Sequence, residues 1–538
     1  MKFGTSERYR GTLAIALAVF FWIAGVRFTG ATDNQQTTAG ATLERMARAA
    51  FGDLSAAELR MLEVAPTRDI AWASTSKDPN APINDPAKAP SWGPERTIRA
   101  AMIEWLLSNP DASKLVHPSG LAVKAARISG KLDLSYLTIN TPLMLVICAI
   151  GDGVDLRYGH YQSLDLRGSW TGAINGDQSV STGDVVLRYG RYADTSFYRA
   201  EIGGNLEANG GNFIGDEPLS VVDATVRGDA LFHEDFETSG VVDFRLARID
   251  RSLSFNHAHF IGKNDNGLNA ERATIDGTLY WVDIEGTPKT QLDLEDARAM
   301  ALWDDRKSWP AAGNLSLDGF VYLEFSGGPG DSESRLDWLR RQPLAMQKQP
   351  QPYRQLAEVL RAAGRPEGAI NVEIAHQDEL RRLENLRFAD RLWRVVLDAT
   401  IGYGYRPLRA LWWILLFVLI GTALFRWGYR TRLITPTEAD AYDLFVKTGE
   451  PPPHYPPFNS FVYSLENFLP VVELHQGEYW RPNPRHTPIR PGKTDDPAAT
   501  IDRLLAPMLR WYLWLHILAG WTITPLLFAG LAGLLRND

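Results

Sequence analysis

The chain has 538 residues, 22% of them charged, with 64 acids against 56 bases and a single cysteine, Cys148. Length alone suggests about three to four domains. The mild acidic excess offers no basic face to nucleic acid, and a lone cysteine excludes an intrachain disulfide, a Cys-x-x-Cys redox pair and any multi-thiolate metal centre. A mean hydropathy of −0.20 makes any membrane segments a minority of the chain.

Residues 1–31 read as a signal peptide or signal anchor. Lys2, Arg8 and Arg10 precede an uncharged run from Gly11 to Val26, and Thr29-Gly-Ala31 is a small-x-small site. The run is shorter than the ~20 residues of a comfortable span, so cleaved and uncleaved forms both stay open. Either places the following domain outside the cytoplasm. Residues 32–119 read as a helical cap and linker. Leu43, Met46, Ala47, Ala50 and Phe51 recur at helical spacing, and Ser55 with Glu58 has the capping-box pattern. A Pro/Asn/Asp-rich stretch covers about 78–93, and a helical period returns over Glu95–Leu107.

Residues 120–330 change character. A phrase beginning at Ile128 recurs at Ile202, Val226, Ile249 and Ile275, the last four starts lying 24, 23 and 26 residues apart. The first gap of 74 residues accommodates three more units. A period of this size signals a stacked array. Short strands punctuated by Gly and Asp predict an irregular right-handed β-solenoid, each coil burying its apolar files only against its neighbours. A β-sandwich of short strands is the competing architecture. The apolar run Leu143–Ile150 places Cys148 in a buried strand.

Residues 331–400 turn helical. Pro352–Gly364 and the restart at Arg365-Pro-Glu predict an αα-hairpin reaching Arg382. An amphipathic segment comes next, with Arg381, Arg382, Arg387, Arg391 and Arg394 beside Leu386, Leu392, Trp393 and Val396. It suits either a solvated helix face or a juxtamembrane helix on anionic lipid. Residues 401–538 form the expected transmembrane module, with spans at about 410–427 and 511–535. Arg409 and Arg426 flank the first and can snorkel to the interfaces, which makes them lipid-contact candidates together with Arg391 and Arg394. His516, in the second, is expected in interfacial packing rather than a proton relay. Between the spans, Phe458–Leu469 reads as a short amphipathic helix ended by Pro470. The stretch 458–480 then suits a re-entrant pore loop, with Glu466, Pro470, Glu473, His475 and Glu478 as candidate pore-loop residues and the acids as charge rings in a homo-oligomer. A surface helix running into a solvated loop is the alternative.

This order of parts resembles bacterial membrane proteins that carry a pentapeptide-like or bactofilin-like solenoid followed by a two-helix, pore-loop channel module. The resemblance covers roughly residues 120–535. It is carried by Pro352–Arg382, by Phe461-Val-Tyr-Ser-Leu-Glu-Asn-Phe-Leu-Pro-Val-Val-Glu-Leu474 and by Arg510-Trp-Tyr-Leu-Trp-Leu-His-Ile-Leu-Ala-Gly-Trp521. It implies a multi-pass protein of the bacterial inner membrane, contacting lipid and assembling as a homo-oligomer. Such proteins are often loosely labelled membrane-associated oxidoreductases. The chain departs from the pattern twice. Leu469-Pro-Val-Val-Glu-Leu474 stands where potassium channels carry Thr-Val-Gly-Tyr-Gly, and the strict five-residue repeat is absent.

No catalytic, cofactor or metal-binding motif is found: no Gly-x-Gly-x-x-Gly joins a strand to a helix, and no His-Glu-x-x-His occurs. Three functions are compatible with the sequence. The first is a channel-like membrane protein with a sensing or assembly solenoid. The second is a membrane-tethered scaffold whose solenoid binds a protein or an envelope polysaccharide. The third is an oxidoreductase by label alone. The basic N-terminus favours an exported solenoid, whereas a pore loop entering from outside requires a cytoplasmic one.

Overall fold

A computed structural model describes residues 29–262, 266–383, 387–483 and 497–533, so nearly all of the signal-or-anchor segment lies outside the described residues. The chain divides into two compact units, 1–365 and 366–538.

The first unit opens with α1 (Thr29–Phe51) and α2 (Ala56–Val64). The expected capping box is formed: the Glu58 N–H donates to Ser55 Oγ at 3.0 Å, and the Ser55 N–H to Glu58 Oε2 at 2.9 Å. Burial opposes the charge on Glu58, yet the Arg99 guanidinium at 2.7 Å and two backbone N–H groups hold its pKa below the ordinary value. The helical period over Glu95–Leu107 is only partly realised. Thr97–Arg99 pairs with Arg127–Ser129 as a strand, and α3 (Ala100–Ser108) starts after it. Pairing at a sheet edge outweighs local propensity there.

Beyond this cap the chain winds into a β-solenoid of about nine turns, parallel throughout. One inward file runs Ile139, Tyr161, Ser181, Ile202, Val226, Ile249, Ile275, Ala299 and Tyr322, each opposite the next. At about 4.8 Å per rung the stack is roughly 38 Å tall. The file also corrects the expected phasing. Ile128 lies in the other sheet, paired with Ile98, and is no member of the Ile202 file. The coils before Ile202 are 20 to 22 residues long, as Ile139, Tyr161 and Ser181 show, so units of 25 cannot fill that gap.

A short motif turns the corners. In Leu132-Asp-Leu, Val154-Asp-Leu, Leu164-Asp-Leu, Val242-Asp-Phe and Leu292-Asp-Leu, both apolar residues point inward. The intervening carboxylate accepts the N–H two residues on, at 3.0–3.2 Å. The next residue then takes a positive φ: 59° at Tyr136, 56° at Tyr158, 60° at Leu246 and 55° at Asp296. An Asx turn thus pins a left-handed corner without requiring glycine. Inside, aromatic rings follow one another along the axis: Phe232 stacks on Phe255 at 4.9 Å, and Phe255 meets the tilted Trp281 ring at 5.8 Å. Cys148 is fully buried and burial pushes its thiol up to about 12, so it is an inert core residue.

The last coil is sealed by α4 (Ser332–Leu339) and α5 (Pro350–Ala362). Gln351 and Gln355 donate to the Phe320 and Tyr322 carbonyls at 2.9 and 2.6 Å, covering an edge that would otherwise template another strand. Beneath them Arg335, with no exposed surface, makes a bidentate pair with buried Asp304 at 2.6 and 2.7 Å. The Trp309 indole donates to the same carboxylate at 2.8 Å.

The second unit is helical: α6 (Pro366–Leu383), α7 (Phe388–Ile401), α8 (Arg409–Arg430), α9 (Ala439–Thr448), α10 (Ser460–Phe468), α11 (Gln476–Tyr479) and α12 (Pro497–Leu531). The two helices expected over 352–382 exist as α5 and α6, broken at Gly364 (φ 73°), and one belongs to each unit. A short antiparallel pair, Ile434–Pro436 with Trp480–Pro482, had no sequence signal.

Candidate functional site

Two helices are long and apolar enough to cross a membrane, Arg409–Arg430 and Pro507–Leu531. At 1.5 Å per residue they measure about 33 and 37 Å, against a hydrocarbon core of about 30 Å. They run antiparallel. Gly428 faces Leu509, Gly421 faces His516, and Pro407 faces Gly530. Glycine at these positions removes the side chain that would hold the two backbones apart.

The short helix α10 packs against both. Asn459 caps it, its Oδ1 accepting from the N–H groups of Phe461 and Val462 at 3.0 and 3.2 Å. Its first turn lies among the aromatic rings at one end of the long helices, where Phe458 stacks on Tyr429 at 4.8 Å and Tyr463 meets Phe425 at 4.9 Å. Its last turn reaches the middle of both. Ser464 sits on Gly421, Phe417 stacks on Phe468 at 5.6 Å, and the Phe468 carbonyl lies so close to Gly520 that any side chain there would collide with it.

One polar group ties the three helices together. His516 is fully buried. Its Nε2–H donates to the Ser464 carbonyl at 3.0 Å, and Tyr512 Oη lies 3.3 Å from Nδ1. The Ser464 hydroxyl donates to the Val418 carbonyl at 2.9 Å. His516 therefore lies in the interior of the unit, between three helices. Its partner Ser464 is 52 residues away in sequence, which is why spacing did not reveal the pair.

Pro470 ends α10 because it has no N–H to continue the ladder. The chain then turns back. The Asn459 N–H donates to Gln476 Oε1 at 3.0 Å, so the hairpin 459–476 closes at the level where it begins. Glu466 completes the closure, its Oε2 accepting the Gln476 N–H at 2.8 Å. Of the sequence candidates, then, Glu466 is half-buried and holds the hairpin. Glu473, His475 and Glu478 are exposed, and within one chain only His475 and Glu478 approach each other, at 3.5 Å. Among the lipid-contact candidates Arg391, Arg409 and Arg426 are exposed and Arg394 is half-buried. On α7 they stand beside the outward Phe388, Leu392 and Trp393. Tyr403, at the start of the turn into α8, donates to Asp378 at 2.9 Å, and burial together with that carboxylate raises its pKa.

The solenoid offers a second candidate. A cavity of about 650 Å³ opens over its first coils, lined by Lys124, Met144, Val146, Asp165, Arg167 and Tyr189 among others. It is lined by two carboxylates, Asp69 and Asp165, the second held by Arg167 at 2.5 Å, and by Ser119, whose hydroxyl lies 2.7 Å from His117 Nδ1. Among the described residues no three His, Cys, Asp or Glu side chains gather as a metal site.

Compared with family models, curated proteins and solved structures, the chain matches none. Fold and site define it as a β-solenoid chain with a helical unit that carries two potential membrane-spanning helices.

Proposed function

We propose that this is a multi-pass membrane protein in which residues 459–476 form a re-entrant hairpin between two spans, completed in a homo-oligomer that conducts ions, with the solenoid as its sensing or assembly domain. One observation supports this most. The hairpin's two ends meet at one level of the long helices, while its tip lies against Gly421 and Gly520, halfway along both. Irregular backbone at that depth is tolerated only under cover of protein or a water-filled path. Val471, 78% exposed in one chain, and its neighbours Glu473 and Leu474 need such cover, and further copies of the chain supply it. The carboxyl end of α10 points into the same region and carries the partial negative charge of a helix terminus, which favours cations. Outward Trp427, Trp511 and Trp514 lie at one common end of the antiparallel pair, as an interfacial belt requires.

The test is ion flux into vesicles holding the purified chain. Cation flux that falls or changes selectivity on Glu473→Gln is the expected result. Vesicles that stay sealed to several cations and anions over a range of voltages overturn the conducting role and leave a membrane-tethered scaffold.

A further inference from the structure

The outer face of the early coils differs in chemistry from the rest of the protein. Register carries Thr138, His160 and Val180 up one file. Tyr136, Tyr158 and Gln178 stand two residues before them at left-handed corners (φ 59°, 56° and 57°), and Asn140, Gln162 and Thr182 two residues after. All nine side chains face outward, between the buried Ile139, Tyr161, Ser179 and Ser181. None of the nine is an acid, a lysine or an arginine, although 22% of the chain is charged.

Two further features mark this face. The rings of Tyr136 and Tyr158 stack at 4.9 Å with 14° between their planes, yet remain 72% and 41% exposed. Gln178 Nε2 donates to Tyr158 Oη at 3.0 Å and so steadies the end of that stack. Beside the rings runs a groove of about 290 Å³, lined by Thr138, Asn140, His160, Gln162, Val180 and Thr182 among others. Among the described residues, no hydrogen bond or ion pair is made by the side chains of Thr138, Asn140, His160 or Gln162, so their donors and acceptors are open to a ligand.

We propose that this face binds an uncharged glycan chain. A sugar offers an apolar C–H face, which packs on an exposed aromatic ring, and a rim of hydroxyls, which pair with amide, hydroxyl and imidazole groups. Here the rings lie at one edge and the neutral polar side chains beside them, repeated from coil to coil at one rung spacing. Repetition of that kind suits a repeating polymer. An anionic polymer finds no cation among the nine positions, and a protein partner would require an apolar centre that this grid lacks. The inference concerns the solenoid alone and stands whether or not the second unit conducts ions.

The test uses the full chain in a detergent without a sugar headgroup. Cellotetraose, maltotetraose, chitotetraose and the acidic tetragalacturonate are titrated in by calorimetry, with saturation-transfer NMR identifying contacts. At least one neutral tetrasaccharide is expected to bind. Tyr158→Ala should weaken it about tenfold, the size of one lost stacking contact, while Tyr158→Phe stays near wild type. The double variant Asn140→Ala/Gln162→Ala should weaken it too, and because both side chains are exposed and unpaired it reads binding even if Tyr158→Ala does not fold. The proposal is overturned if no neutral tetrasaccharide binds at millimolar concentration, if tetragalacturonate binds more tightly, or if binding survives the double variant.

Discussion

The two units differ in what they turn outward. In the solenoid the largest side chains point inward, Phe232, Phe255 and Trp281 among them, and the corners carry what is polar. In the second unit the long helices turn large residues outward, Leu411, Trp412, Leu415 and Leu419 on α8 and Trp511, Leu518, Trp521 and Phe528 on α12. Their inward contacts combine Gly421, Gly428 and Gly520 with buried Val418, Phe425 and Ile523. Water drives the first arrangement, because apolar area is removed from it. With its long helices in lipid, as proposed, the second would gain nothing from that force and would depend on close helix packing and a few internal hydrogen bonds.

That contrast can be broken at chosen points. The largest effect is expected at the sealed end of the solenoid. Arg335→Ala leaves Asp304 buried without its partner and should cost about 3–5 kcal/mol, read as a lower thermal midpoint. Arg335→Met combined with Asp304→Leu should restore most of the loss; if the double variant is as unstable as the single one, the pair is not what holds that end. In the second unit a single methyl should suffice. Gly520→Ala meets the Phe468 carbonyl and should cost about 1–3 kcal/mol, leaving the solenoid transition where it was. Glu466→Gln weakens the closure at Gln476 by about 1 kcal/mol, visible as faster hydrogen exchange over 469–477 with the long helices unchanged.

The smallest effect depends on pH. Arg157, then Lys131, hold the Asp155 carboxyl far below the usual carboxylate range. Its folded pKa is depressed, so its contribution is complete above the unfolded value of about 3.9 and is lost as pH falls below it. The solenoid midpoint should therefore drop below about pH 4, and the drop should be shallower in Asp155→Asn. Equal slopes in the two proteins would assign the acid sensitivity to other carboxylates.

The sequence makes the coils legible where their period is steady, from Ile202 to Ile275. It misplaces Ile128 because the earlier coils are shorter and the matching phrase belongs to the other sheet. The half-coil corner motif escapes a reading by identity. Val154-Asp-Leu-Arg-Tyr-Gly159, Leu206-Glu-Ala-Asn-Gly-Gly211 and Leu315-Ser-Leu-Asp-Gly-Phe320 share a geometry and almost no residues. In the second unit Phe461, Leu465 and Phe468 at helical spacing, with Pro470 beyond, reveal α10. Its partners were hidden, since Ser464 meets His516, and Glu466 meets Gln476, only after the chain has folded back. The glycines of the long helices were the available signal: Gly520 lies under the Phe468 carbonyl, and Gly421 and Gly428 make room for Ser464, His516 and Leu509.

The contact between Asn459 and Gln476 fixes the ends of the turn that follows α10. With both ends fastened together, the mostly exposed residues 471–475 can be lengthened at little cost, since doubling a closed loop costs only about 0.6 kcal/mol. Whatever passes or docks at the tip can thus be altered by evolution or by design at little cost to the frame that carries it.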